Sequence, residues 1–171
     1  MEYEEYRREP EQERRALTVF GFPLRIDLFF FVTAWLIGGR QEPLWMLVWV
    51  VVVLTGVLAH ELGHAFAGRR LGLEPWIQLR AFGGMTGWRR PRPLTAGQQI
   101  LISAAGPAVG ISIGGAVLVA GLAGVFADAS PAILRVINYV VWVNLGWGVL
   151  NLLPILPLDG GHILASVAGL V

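Results

Sequence analysis

Four apolar stretches, separated by polar or Gly/Pro-rich segments, set the pattern of this chain. Leu44 to Ala59 carries no charged residue, and the run continues to about Arg70. At 1.5 Å rise per residue, a helix of that length crosses a hydrocarbon core about 30 Å thick with some tilt. The earlier run, Leu17 to Gly38, opens with Phe20-Gly21-Phe22-Pro23-Leu24-Arg25-Ile26-Asp27. Its Gly, Pro and opposed charges predict an extended or interfacial lead-in, then a helix from about Leu28. The third run, Gln99 to Phe126, holds Ser103, Ala104, Ala105, Gly106, Gly110 and Gly114, small residues that let helices pack closely in lipid. Pro107 is expected to kink or start it. The fourth, Ala132 to about Leu153, is interrupted by Asn144 and Asn151.

Two connecting segments break this pattern. Between the second and third runs, Trp76-Ile77-Gln78-Leu79-Arg80-Ala81-Phe82 alternates before Gly83-Gly84 and Met85-Thr86-Gly87-Trp88. This reads equally as a β-hairpin or as a surface loop with an ordinary turn; Trp76 and Trp88 suit the headgroup level. After the fourth run, Pro154, Pro157, Gly160 and Gly161 argue against a regular helix, and His162 to Val171 is apolar but too short to span. The fold class expected is therefore an all-α polytopic membrane protein. It has about four transmembrane helices, a cytoplasmic or re-entrant β-hairpin between helices 2 and 3, and a broken segment after helix 4.

Composition sharpens this picture. With 171 residues, 55% of them hydrophobic, and a mean hydropathy of +0.61, the chain is one membrane domain. Residues 1–16 are expected to be a charged flexible tail, since the first fifteen hold six Glu and four Arg and cannot bury a core. They lack the apolar region of a secretory signal. Residues 17–171 form the membrane-embedded core. The thirteen basic residues are all Arg, and most precede the first run or lie between the second and third. The positive-inside rule then places the N-terminus, the hairpin and the end of the fourth run in the cytoplasm, as in a multi-pass protein of a bacterial cell membrane. A net charge of +1 points to no nucleic-acid partner. With no cysteine, a transition-metal site must use His and carboxylate.

His60-Glu61-Leu62-Gly63-His64 supplies such groups late in the second run. Residues four apart on a helix face the same way, so His60 and His64 can chelate a metal. Glu61 lies about 100° round the axis, where it reaches a water on the same ion: the place for a general base. Two such His with a Glu can also be solvated surface residues, but ionisable groups in an apolar span are functional by default. A catalytic zinc keeps three protein ligands and an open position. Asp159 is the leading candidate for the third ligand, because topology returns it to the side of the two His; the alternative is an Asp in a solvated turn. Asn144 suits an interhelical hydrogen bond.

The pair of motifs His60-Glu61-x-x-His64 and Asn151-Leu152-Leu153-Pro154-Ile155-Leu156-Pro157-Leu158-Asp159-Gly160-Gly161 resembles the site-2 protease family of intramembrane zinc metalloproteases. Phe20 to Ile26, Phe82-Gly83-Gly84 and Ala105-Gly106-Pro107 also match. The resemblance implies that His60, His64 and Asp159 bind Zn2+, that Glu61 is the catalytic acid/base, and that Asn151 lines the site, with Gly83 and Gly84 in a substrate-binding hairpin. It implies a transmembrane protein substrate in a lipid bilayer. His162 fits a supporting or interfacial role better than that of a spare ligand. Two departures stand out: Gly110 occupies a position where many relatives carry Asn, and the sequence stops at Val171, which predicts a shortened final helix. The rival readings are a catalytically silent binder of membrane proteins and a metal transporter, for which a ligand path and internal repeats would be expected.

Overall fold

The computed structural model describes residues 17–169; the charged tail expected over 1–16 lies outside the described residues. Strands β1 (Leu17–Val19) and β2 (Phe22–Ile26) lead into α1 (Leu28–Gly38) and α2 (Pro43–Arg70). A hairpin of β3 (Pro75–Arg80) and β4 (Gly83–Trp88) follows, then α3 (Ala96–Leu122). Helix α4 (Pro131–Asn151) contains a π-helical stretch at Trp142–Gly146, and α5 (Asp159–Val167) closes the described fold.

Among the described residues, three helices, α2, α3 and α4, are long and apolar enough to cross a membrane. The expected first span behaves differently. Its helix begins at Leu28, but with 11 residues it extends only about 16 Å, because the lead-in folds as strands. Phe20 and Gly21 link β1 to β2 with φ of 50° and 82°, the paired positive values that a two-residue hairpin turn needs. The chain is therefore mostly helical but not all-α: β1, β2, β3 and β4 form one four-stranded sheet in that order. β2 runs parallel to β3, with Leu24 opposite Ile77 and Ile26 opposite Leu79, and α1 and α2 form the crossover between them.

The sheet packs against the C-terminal half of α2. Phe22, Leu24, Ile77 and Leu79 bury against Val57 and Ala65, with Phe30 of α1. Arg69, at the end of α2, stacks over the Phe22 and Phe66 rings at 4.4 and 4.9 Å and donates to the Phe20 carbonyl at 3.1 Å, clipping the first hairpin to the helix.

Small residues set the helix crossings, as packing in lipid favours. A side chain at Gly63 would meet the α3 backbone at Ala105 and Gly106, and one at Gly110 would meet the Asn144 carbonyl of α4. Helix α3 starts on a capping box, Thr95 accepting from the Gln98 amide while Gln98 accepts from Thr95, and it continues through Pro107. Asn144 does not bridge helices: its amide donates to Val140 of its own helix at 2.9 Å. Nor does the Pro/Gly segment stay irregular through Gly161. Helix α5 starts at Asp159, and Gly160 and Gly161 let its first turn press onto the backbone of residues 152–156.

Candidate metal centre

His60 and His64 occupy successive turns of α2, both buried, with ring centroids 4.8 Å apart. Asp159, the first residue of α5, meets them from the opposite side. His60 Nε2 lies 3.1 Å from His64 Nε2 and 3.1 Å from Asp159 Oδ2, and His64 Nε2 lies 3.4 Å from Asp159 Oδ1. Two observations test whether these groups fit a metal. The His64 Nδ1–H donates to the Ile102 carbonyl of α3 at 2.7 Å, which turns the Nε2 lone pair toward His60 and Asp159. The spacing also fits: ligands on a tetrahedral zinc with bonds of about 2.0–2.1 Å stand about 3.3 Å apart. Burial raises the Asp159 pKa, but the two imidazoles beside it outweigh burial and hold it at about 2; the third donor is an anion. Two imidazoles and a carboxylate converging on one point form the donor set of a catalytic zinc site.

Gly106 of α3 makes room for this cluster, since a Cβ there would strike the Nε2 atoms of both imidazoles. Glu61 is buried, 4% exposed, with a carboxylate oxygen within 4.8 Å of the imidazole donors. It rests on the hairpin: a Cβ at Gly84 would collide with its carboxylate, and Thr86 Oγ1 donates to Glu61 Oε2 at 2.7 Å. A cavity of about 310 Å³ opens over the cluster, lined by Gly84, Thr86, Gln99, Ser103, Asn151 and His162 among others.

Sequence reasoning brought His60, Glu61, His64, Asp159, Asn151 and Gly84 to one place, and the structure gathers all of them at this cavity. Gly83 is elsewhere, facing Trp147 and a separate apolar groove. The turn is not at Gly83-Gly84 either: Arg80 pairs with Gly83, so Ala81 and Phe82 make the turn and both glycines belong to β4. Asn151 spends one amide hydrogen on the Trp147 carbonyl at 2.9 Å, leaving the other. Thr86, Gln99 and Ser103 were missed. Thr86 carried one signal: it lies two residues past Gly84, hence on the same face of a strand.

Helices long and apolar enough to cross a membrane thus carry a buried His-Glu-His cluster that opens to a polar cavity. Residues 113–171 match the model of peptidase family M50, a stretch that includes Asp159. Rip3 from Mycobacterium tuberculosis is 37% identical over 156 residues, covering 87% of this chain and 34% of that protein. The zinc metalloprotease MJ0392 from Methanocaldococcus jannaschii is 26% identical over 157 residues, covering 90% and 44%. Among solved structures, the site-2 protease from Methanocaldococcus jannaschii superposes with a TM-score of 0.67 at 26% identity, over 90% of this chain and 70% of that one. The chain belongs to the site-2 protease family. It spans about a third of the length of Rip3.

Proposed function

We propose that this chain is an intramembrane zinc metalloprotease that cuts a peptide bond within, or at the edge of, a transmembrane segment of another protein. The observation that carries this reading is the convergence of His60, His64 and Asp159 within 3.4 Å of one another, with a buried Glu61 beside them. Zinc bound to these three side chains supplies polarisation of the scissile carbonyl and acidification of a water molecule. Glu61 takes the water's proton and returns it to the leaving amine. Ile102 fixes the His64 tautomer, and the free amide hydrogen of Asn151 is available to the substrate carbonyl as negative charge develops.

A helical substrate hides its carbonyls and must unwind first. Among the described residues, β4 pairs on one side only, with β3, so its open edge offers hydrogen bonds to an unwound strand. Gly84 then sits where the added strand passes Glu61. By the arginine distribution, this end of the helices and the N-terminus lie in the cytoplasm of a bacterial cell.

The test is zinc per chain by elemental analysis of detergent-purified protein, for wild type, Asp159→Ala and the His60→Ala/His64→Ala double variant. About one zinc is expected in wild type, weakened in the first variant and absent in the second. A folded wild type without zinc would refute the proposal.

A further inference from the structure

The group that holds Glu61 comes from the hairpin and not from the helices that carry the His and Asp donors. A glutamate side chain turns about three bonds, so its carboxylate needs fixed neighbours to stay aligned. Two are visible, both on one face of β4. Gly84 lies flat against the carboxylate, and the Thr86 hydroxyl reaches Oε2 at 2.7 Å and the Glu61 carbonyl at 3.1 Å. A hydroxyl has one proton to give, and the shorter contact, to the acid, has the length of a charge-assisted bond. The Glu61 carbonyl, at the longer distance, is the alternative acceptor for that same proton. Among the described residues, the other edge of β4 is left open by the sheet.

We propose that Thr86 is a positioning residue for Glu61, through which the edge strand controls the alignment of the general base. The proposal rests on the metalloprotease reading above. A strand added to β4 steadies Thr86 and Gly84, and through them the carboxylate, so that substrate docking and base alignment are one event. Removal of the hydroxyl should therefore act on turnover more than on substrate or metal binding.

The experiment compares zinc-loaded, full-length wild type with Thr86→Val, Thr86→Ser and Glu61→Gln in detergent. It reads zinc content, kcat and KM on a single-span model polypeptide, and calorimetric affinity for a hydroxamate bearing an isobutyl group. Thr86→Val is expected to keep its zinc and hold KM within about twofold, while kcat and hydroxamate affinity fall about tenfold or more. Thr86→Ser should recover both to within about threefold. If Thr86→Val loses zinc, Thr86→Ala against Thr86→Ser makes the same comparison. Wild-type kcat and hydroxamate affinity in Thr86→Val, or a Ser variant as impaired as Val, would overturn the proposal. A Glu61→Gln variant that cleaves normally, or a wild type that neither binds hydroxamate nor cleaves, would remove the metalloprotease reading beneath it.

Discussion

The two faces of β4 look into different surroundings. Successive strand residues point to opposite sides, so Gly84 and Thr86 face Glu61 and a polar cavity of about 310 Å³, while Gly83 faces Trp147. Behind Gly83 lies a groove of about 720 Å³, lined by Phe30, Trp49, Val57, Trp142 and Leu150 among others. Adjacent glycines thus serve different ends: one lets a carboxylate lie against the strand, the other lets an indole do so. The strand is a partition, with ionisable groups kept on one side and apolar surface on the other.

Substitutions on either side can break or sharpen this contrast. The largest effect is expected from Glu61→Gln: cleavage should fall at least about 100-fold, the usual scale for a general base, with zinc content unchanged. Parallel loss of zinc would make Glu61 a ligand instead. Gly84→Ala comes next, because its methyl must push the Glu61 carboxylate aside. Misplacement of a reacting group by about 1 Å can cost about 100-fold, so turnover should drop by that order while zinc stays bound. Gly106→Ala acts on the imidazoles from α3, and chelator competition should show zinc affinity reduced about 10- to 100-fold, as for other changes that disturb ligand orientation. The smallest catalytic effect is expected from Gly83→Ala. With φ at +124° and Trp147 against it, an added Cβ should destabilise the fold by about 1–3 kcal/mol. A lowered melting temperature in detergent with near-normal turnover per folded chain checks this. If Gly83→Ala and Gly84→Ala lost turnover equally, the partition would not exist.

Much of the site was legible because its signals are local. A His pair four residues apart and an apolar run without charge place His60 and His64 on one helix face with no knowledge of the rest of the chain. Features made by distant segments were harder to read. The pairing of Leu24 with Ile77 joins stretches that neither periodicity nor composition relates, so strands β1 and β2 were read only as an extended lead-in to a span. Gly160 and Gly161 were read as helix breakers, whereas close approach to residues 152–156 is what admits them to the first turn of α5. Gly83 and Gly84 look like a turn for the same reason: the bulky partners that require glycine, Trp147 and Glu61, sit far off in the sequence. Thr86 has no motif of its own, and its role emerges only when the hairpin is laid on α2.

The contact between His60 and Asp159 spans 99 positions of the chain. At a synthesis rate of about 5–20 residues per second, about 5 to 20 s separate their emergence from the ribosome. During that interval the paired imidazoles and their glutamate are already made while the third donor is not. On the metalloprotease reading proposed above, a nascent chain is thus a disarmed one until the polypeptide has been made as far as Asp159.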